Sequence, residues 1–388
     1  MTARLFFYGN ALDDMTRQHR GVTTDSPAGT RKMLNITRAL RTADVRVVIV
    51  SMGRGRSDGS GRYHASRVCR IDGIPVIYGP MLHRRGLSEL LTVAWLAWIA
   101  ILLGFRFASA RHLFYNQFSA YLPALAALRI MGKATVCDIE DGPVSSAISI
   151  ASRSRGNAPP GLFSRLISSG ALLACEALAE GTRIRPVICC YGAVKPSACP
   201  PKSPRSSQVV VMTGMFDDAT GVALLEATFE ALAEDEEASK SARFEFAGFG
   251  PRLTSLREAA ERHKIHATFH GRLDAADYAR LLARASIGLS LKAIEGPYAN
   301  STFPSKVIEY AENGLCVITT DISDVRAVLG NNALYLHADE PRQLVAHLRW
   351  ASERPRDIAH LGQRACEHLQ TTRGYQRVGE DLRAFLFK

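Results

Sequence analysis

The sequence predicts an α/β fold with two doubly wound parallel sheets, and two observations support this prediction. Short apolar runs alternate with helix-like segments along the chain, as in parallel sheets covered by helices. Residues 191–207 interrupt the alternation with a stretch rich in proline and serine, which is typical of a linker. Since 388 residues are ample for two domains, we predict one domain at 1–190 and a second at 208–365.

The first half contains apolar runs that we interpret as buried strands: 4–8, 45–51, 112–115 and 134–137. Helices are expected between them, at 30–40 and 121–131. The run that opens the chain is too short for a signal peptide, so it is interpreted as a strand. The last helical segment, 366–388, has no partner of its own in the second domain, and we expect it to cross back to the first.

Residues 90–105 form the longest apolar stretch, but its 16 residues fall short of the roughly 20 that span a bilayer. Two explanations stay open. The segment is either a core helix or a helix that lies on a membrane surface, where tryptophans and flanking arginines are favoured. The residues in question are Trp95, Trp98, Arg84, Arg85, Arg106 and Arg111.

The second half repeats the alternation, with predicted strands at 209–212, 243–247, 267–270, 287–291 and 315–320. Four of the strand ends carry glycine or hydroxyl residues, namely Gly214, Gly248 with Gly250, Gly271, and the segment 301–310. Glycine at such ends lets a nucleotide approach the backbone closely. The ordered series therefore favours a nucleotide-binding domain over a set of ordinary turns.

The segment 301–310 is the most informative of these ends. Its serine and threonine hydroxyls, with Pro304 in a first helical turn, predict a helix start that Gly314 later ends. Lys306 and Glu309 are three residues apart and share a helix face. A cation beside a carboxylate suits a ligand that has both phosphate and sugar hydroxyls, although a capped helix with a solvated ion pair is the alternative.

Charge and cysteine content narrow the classes of partner. The net charge of +11 indicates an anionic substrate or membrane surface. Nucleic acid is not indicated, because the sequence has no basic run with interleaved aromatic residues. The eight cysteines show neither CxxC pairs nor metal spacing, so we expect a reduced, cytoplasmic chain without a metal site.

From about residue 208 to 354 the chain resembles the donor-binding half of glycosyltransferase family 4, whose signature the residues from Phe303 to Tyr310 match. The resemblance implies a GT-B fold with two Rossmann-like domains that face a central cleft. It implies that Lys306 holds the diphosphate of a UDP- or GDP-sugar and that Glu309 holds the ribose, without a cofactor. The donor residues predicted in this way are Gly214, Met215, Gly248, Gly250, Gly271, Arg272, Leu273, Lys292, Ser301, Thr302, Phe303, Ser305, Lys306 and Glu309.

The sequence departs from the family pattern at three positions. Met215 and Thr220 stand where the family commonly has arginine and lysine, and Ser301 stands where it often has glutamate. Either Lys292, Arg272 or a residue of the other domain compensates, or donor binding is altered. A non-catalytic homologue and a nucleotide-sugar 2-epimerase are the alternatives to a transferase.

The first domain is expected to bind the acceptor. Carboxylates follow the strand at 134–137, where one of them could act as a general base or orient the acceptor; the alternative is an acid-capped turn. The predicted catalytic residues are Asp138, Glu140, Asp141 and, on the donor side, Lys306. The predicted acceptor residues are Gly9, Asn10, Gly29, Thr30, Arg31 and Asn116. Arg31 and Lys32 either meet an anionic acceptor, such as a lipid diphosphate, or form a solvated helix start. The acceptor is expected to be a lipid-linked saccharide of polysaccharide assembly, with the protein on the inner face of the plasma membrane.

Overall fold

The computed structural model describes residues 2–22, 25–55, 63–83, 86–140, 160–204, 207–295 and 299–388. The chain divides into two units, each with its own parallel sheet. The N-terminal unit comprises Met1–Lys195 with Arg373–Lys388, and the C-terminal unit comprises Pro196–Thr372. The predicted linker at 191–207 therefore spans the division between Lys195 and Pro196.

In the described residues, the N-terminal unit has eight strands: β1 (Arg4–Gly9), β2 (Arg46–Ser51), β3 (Arg67–Ile71), β4 (Ile74–Tyr78), β5 (Arg111–Tyr115), β6 (Thr135–Ile139), β7 (Ala171–Leu173) and β8 (Val187–Cys189). Their order across the sheet is β3-β4-β2-β1-β5-β6-β7-β8, and the pairs are parallel except β3 with β4. The chain changes direction across the sheet between β1 and β5, which is where open α/β sheets bind ligands.

Helices cover this sheet: α1 (Asp14–Arg20), α2 (Pro27–Thr42), α3 (Leu87–Arg106), α4 (Leu122–Ile130), α5 (Pro160–Leu166), α6 (Leu178–Gly181) and α15 (Tyr375–Leu386). The apolar sides of β1 and α2 lie in the buried core, because parallel strands are covered on both faces. The β3–β4 hairpin was missed by the sequence analysis. Its turn, Asp72-Gly73, has positive φ at both residues, which is the usual chemistry of a two-residue hairpin.

The last helix, α15, belongs to the N-terminal unit and packs on α2. Gly379 lies so close to α2 that a Cβ would be 2.0 Å from the Ala39 carbonyl oxygen. The Tyr375 hydroxyl donates to Asn35 Oδ1 at 2.9 Å, and Arg383 donates to the Ala43 carbonyl at 2.8 Å. The residues from 366 to 373, predicted to be part of this segment, instead complete the preceding helix.

In the described residues, the C-terminal unit has six parallel strands: β9 (Gln208–Met215), β10 (Ala242–Phe249), β11 (Ala267–Gly271), β12 (Ile287–Ser290), β13 (Cys316–Thr320) and β14 (Leu334–Leu336). Their order is β11-β10-β9-β12-β13-β14. The helices are α7 (Val222–Ala233), α8 (Glu236–Ser241), α9 (Leu253–Arg262), α10 (Ala275–Arg284), α11 (Lys306–Glu312), α12 (Val325–Leu329), α13 (Pro341–Glu353) and α14 (Pro355–Arg373). The change of direction lies between β9 and β12.

One disulfide contradicts the prediction of a fully reduced chain. Cys199 and Cys366 are bonded within the C-terminal unit, with their Cα atoms 5.9 Å apart. They are 167 residues apart in sequence, so spacing gave no sign of the pair. The bond ties the segment that precedes β9 to the buried side of α14.

Candidate active site

The carboxyl ends of β9 and β10 approach each other in a way that requires glycine. Gly214 lies opposite Gly248 in the parallel pair. Gly248 has a φ of 150°, and a Cβ there would be 1.8 Å from the Gly214 carbonyl oxygen. A Cβ on Gly214, where φ is 129°, would meet Lys306 Cε at 3.6 Å. The two glycines thus bring open backbone and the Lys306 side chain together at the end of β9.

Lys306 is held by a carboxylate and a phenol. Its Nζ donates to Glu309 Oε2 at 2.7 Å and to the Tyr278 hydroxyl at 3.0 Å. Nζ also lies 5.2 Å from the centroid of the Tyr278 ring. The Lys306 side chain keeps 26% of its surface exposed, whereas Glu309 keeps 8%. A partly exposed, oriented ammonium can make a charge-assisted contact with a phosphate.

The helix that carries Lys306 is shorter than predicted. Pro304 precedes α11 instead of lying in its first turn, and Lys306 is the first helical residue. Ser305 is the N-cap, but its side chain makes no capping hydrogen bond. Since α11 has 7 residues, we assign the attraction for an anion to the Lys306 side chain and not to the helix terminus.

A second ammonium group lies near the start of α11. Lys292 follows β12, and its Nζ donates to Thr302 Oγ1. The backbone N–H of Lys292 donates to Thr320 Oγ1 at 3.0 Å, which fixes the residue to the end of β13. The neighbouring Ser301 is only 1% exposed, and its hydroxyl has no hydrogen-bond partner among the described residues. Lys292 is therefore the more accessible of the two predicted donor residues.

Two exposed side chains lie next to each other at the carboxyl ends of β9 and β10. Met215 is 44% exposed and Phe249 39% exposed, and they are opposite each other in the β9–β10 pair. The Arg272 guanidinium lies 6.0 Å from the centre of the Phe249 ring. An apolar surface beside a planar cation suits the stacking of a nucleobase.

Met215 and Thr220, which stand where arginine and lysine were expected, carry no charge, and Thr220 has a structural role. The Thr220 hydroxyl accepts from the Asp217 N–H at 2.9 Å, and Asp217 Oδ1 accepts from the Thr220 N–H at 3.1 Å. This reciprocal pair is a capping box that closes the turn before α7. Arg252, a nearby cation of the same edge, forms ion pairs with Asp218 and Glu226.

The carboxyl edge of the first sheet has a different arrangement around Lys32 of α2. Lys32 Nζ lies 3.2 Å from Asp138 Oδ1 at the end of β6 and also pairs with Glu140. The exposed fractions of the three side chains are 12% for Lys32, 0% for Asp138 and 18% for Glu140. An acceptor would thus reach Glu140 before Asp138, and Asp141 lies outside the described residues.

The single positive charge of Lys32 balances only one of the two carboxylates that it contacts. Burial, together with the charge of Glu140, raises the pKa of Asp138 well above its ordinary value, although Lys32 opposes the shift. The two carboxylates raise the pKa of Lys32, against the effect of its burial. The ammonium therefore stays charged, and the cluster is built to hold a proton on a carboxyl group.

The comparisons with known proteins agree on family and fold. Residues 207–353 match the family of glycosyl transferases group 1. No curated protein sequence matches the chain. The crystal structure of Anabaena Alr3699/HepE in complex with UDP-glucose is similar with a TM-score of 0.69 and 13% identity, and the match covers 99% of both chains.

Two further structures give the same result. Sucrose-phosphate synthase from Thermosynechococcus elongatus has a TM-score of 0.66 at 10% identity, over 98% of this chain and 97% of that one. TarM has a TM-score of 0.70 at 9% identity, over 100% and 99%. Residues 207–353 are thus similar to the glycosyl transferases group 1, and the chain as a whole has the GT-B fold. The predicted fold class and the resemblance predicted for residues 208–354 are thereby confirmed.

In the N-terminal unit, several predicted acceptor residues contact neighbouring side chains. Gly9 faces Met33, since a Cβ would lie 2.3 Å from the Met33 sulfur, and Gly29 is similarly close to the Tyr115 hydroxyl. Thr30 Oγ1 accepts from the Leu12 N–H at 3.2 Å. Gly9, Gly29 and Thr30 therefore pack against neighbouring residues of the N-terminal unit.

Asn10 and Asn116 have a stronger claim to contact a ligand than Gly9, Gly29 or Thr30. Asn10 is 7% exposed, and its Oδ1 has no hydrogen-bond partner in the part of the chain that the structure describes. Asn116 has a φ of 62° and donates its N–H to the Asp138 carbonyl at 2.6 Å. Arg31 is half-buried. Lys32, for which an anionic acceptor or a solvated helix start was predicted, is paired with Asp138 and Glu140.

The other predicted donor residues line the same edge of the C-terminal unit. Gly271 has a φ of 66° and leads to exposed Arg272 and half-buried Leu273. A Cβ on Gly250 would lie 2.1 Å from the Phe216 carbonyl oxygen, so this position also requires glycine. Phe303 is half-buried.

Sequence reasoning missed Tyr278, Thr213 and the role of Tyr310. Tyr278 was not among the predicted site residues, and Tyr310 appeared only as the last residue of the segment 301–310. There was little sign of these residues in the sequence, because helical periodicity shows which face of a helix is buried. It does not show which group a tyrosine hydroxyl contacts. Among the described residues, no group of three or more histidine, cysteine, aspartate or glutamate side chains could hold a metal ion.

Proposed function

We propose that this enzyme transfers a sugar from a UDP- or GDP-sugar to an acceptor hydroxyl. The C-terminal unit would hold the donor, with Lys306 on the diphosphate, Glu309 on the ribose, and the Gly271–Arg272–Leu273 segment beside the base. The observation that carries the proposal is the Lys306 ammonium, oriented by Glu309 and Tyr278 where β9 ends in glycine. It would stabilise the negative charge that grows on the departing nucleotide.

The reaction places different demands on the N-terminal unit. A sugar acceptor needs a group that orients its hydroxyl or removes its proton, and Glu140 is the accessible carboxylate of the Lys32 cluster. Asp138 would act through Lys32 and Glu140, since it is fully buried. Asn10 and Asn116 would supply polar contacts to the acceptor.

A thermal-shift screen with UDP, GDP and ADP tests the donor site. We expect UDP or GDP to raise the Tm, because a ligand that binds the native state stabilises it by mass action. No stabilisation by any of the three would contradict the donor site. Nucleotide release from a sugar donor, measured with and without an acceptor, then distinguishes a transferase from an epimerase or a binding protein.

We further propose that the acceptor is a lipid-linked saccharide and that the enzyme lies on the inner face of the plasma membrane. The support is α3, the one helix of the described residues that is long and apolar enough to cross a membrane by composition. One face packs in the unit, with Leu96 and Ala100 fully buried. The opposite face exposes six large apolar residues, namely Leu87, Leu90, Trp98, Ile101, Leu102 and Phe105.

Basic residues adjoin this apolar face of α3. Arg106 follows Phe105, and α4, which packs on α3 through Leu128, ends in Arg129 and in Ile130, which is 87% exposed. An apolar stripe with arginines at its end fits an anionic lipid surface, into which the helix would insert its exposed face. Such a surface would bring the enzyme to a lipid-linked acceptor of cell-surface polysaccharide biosynthesis.

Sedimentation with vesicles containing phosphatidylglycerol tests this surface. We expect the wild type to sediment at low salt, and the double variant Trp98→Ser, Phe105→Ser to lose most of its binding while its fold is kept. Val68→Ser is the matched control, because Val68 is 72% exposed on the edge strand β3. Equal sedimentation of the wild type and the double variant would contradict the proposal.

A further inference from the structure

The hydroxyl of Tyr278 connects the Lys306 ammonium to the end of β9. Tyr278 is in the first turns of α10, whose N-terminus is capped by Asp274. Its oxygen lies 3.0 Å from Lys306 Nζ and 2.9 Å from Thr213 Oγ1. Thr213 precedes Gly214, so the phenol links the cation to the strand end beside which it lies.

The direction of these hydrogen bonds follows from chemistry. A lysine ammonium can only donate, so the Tyr278 oxygen accepts from it and its own proton is available to Thr213 Oγ1. Thr213 is fixed in turn by Tyr310 of α11. The Thr213 N–H donates to the Tyr310 hydroxyl at 2.9 Å, and Thr213 Oγ1 lies 3.1 Å from the same oxygen. Two phenols and one threonine therefore join α10, β9 and α11.

We propose that Tyr278 is a positioning residue that holds the Lys306 ammonium ready for the donor diphosphate. The inference rests on the donor site proposed above. A free lysine side chain loses much rotamer freedom when it binds an anion, and a side chain that is already ordered loses less. A phenol orders Lys306 without adding negative charge, whereas a second carboxylate beside Glu309 would leave the site net negative.

Substitution of Tyr278 by phenylalanine tests the inference. The change removes the hydroxyl and keeps the ring under the ammonium. We expect UDP to bind about 3- to 10-fold more weakly, which corresponds to the entropic cost of immobilising one long side chain on binding. Uridine, which lacks the diphosphate, should bind equally to both proteins, and the KM for the donor should rise more than kcat falls.

Tyr335→Phe is the matched control. Tyr335 is in the same unit, and its hydroxyl donates to the Gly330 carbonyl at 2.5 Å, away from the residues of the donor site. We expect this variant to bind UDP as the wild type does. Equal weakening by both substitutions would indicate a general loss of stability and would overturn the inference.

A double-mutant cycle with Lys306→Met separates positioning from packing. If Tyr278 acts through Lys306, Tyr278→Phe should cause no further loss of UDP affinity once the ammonium is gone. An additional loss of the same size would overturn the positioning role. A wild type that binds neither UDP nor GDP would overturn the donor site itself, whereas UDP binding that Tyr278→Phe leaves unchanged would overturn this inference alone.

Discussion

In each of the two units a lysine lies at the carboxyl edge of the parallel sheet, and the two lysines have different surroundings. In the described part of the chain, Lys32 pairs with Asp138 and Glu140, whereas Lys306 pairs with Glu309 and a neutral phenol. The Lys32 side chain is 12% exposed, against 26% for Lys306. The ratio of carboxylates to ammonium groups is therefore two to one at Lys32 and one to one at Lys306.

The difference shows how one sheet architecture supports two tasks. At Lys306 one carboxylate matches one ammonium, so the pair has no excess negative charge that would repel a diphosphate. At Lys32 the cation is outnumbered, so the cluster can hold or accept a proton but does not attract an anion. A lysine at a sheet edge is thus not by itself a sign of phosphate binding.

Lys32→Met is expected to give the largest effect. The substitution leaves two carboxylates, one of them fully buried, without their cation, and breaking a buried ion pair in this way costs about 3–5 kcal/mol. Chemical denaturation would show the loss, and nucleotide affinity of the folded fraction should stay unchanged. A variant as stable as the wild type would show that Lys32 does not compensate the two carboxylates.

Lys306→Met should give the reverse result, with affinity lost and stability kept. A hydrogen bond to a charged group is worth about 1.5–3 kcal/mol, which corresponds to roughly 10- to 150-fold weaker UDP binding. Isothermal titration measures the change, and thermal unfolding without ligand is the control. Unchanged UDP affinity would remove Lys306 from the diphosphate.

Met215→Arg would restore the cation that similar enzymes commonly have at the end of β9. Since Met215 is 44% exposed, the longer side chain can be accommodated, and we expect UDP to bind about 3- to 10-fold more tightly through one added charge-assisted contact. Met215→Gln, which adds polarity without charge, is the control. If both variants bind UDP equally, charge at this position does not contribute.

Asp138→Asn should change mainly the pH dependence of stability. Because the pKa of Asp138 is raised in the folded state, the protonated form stabilises the fold. That stabilisation is complete below the ordinary carboxyl pKa of about 4 and is lost as the pH rises through the raised value. We expect the variant to lose less stability than the wild type between about pH 5 and about pH 9, as measured by thermal unfolding. Parallel profiles would contradict the shift.

The sequence predicted most of the C-terminal unit because its strands are continuous apolar runs that end in glycine. The predicted strands at 209–212, 243–247 and 267–270 lie within β9, β10 and β11. Short strands such as β7 and β14 were missed, since three residues give no periodicity. The start of α11 was placed too early, because Pro304 satisfies the local rule for a first turn while the backbone before Lys306 is not helical.

The candidate site was only partly accessible to sequence reasoning. Lys306 and Glu309 were identified because they are three residues apart on one helix. Tyr278 lies 28 residues before Lys306, and Lys32 lies 106 residues before Asp138, so neither pair follows from spacing. The Cys199–Cys366 disulfide was missed for the same reason.

The two-sheet α/β architecture and the edge at which Lys306 lies were predictable, because hydrophobic period and glycine position are local properties of the chain. The carboxylates and phenols that surround each lysine were not. Charge and burial at those positions depend on residues brought together from distant elements, and it is these neighbours that make one edge suitable for a phosphate and the other for a proton.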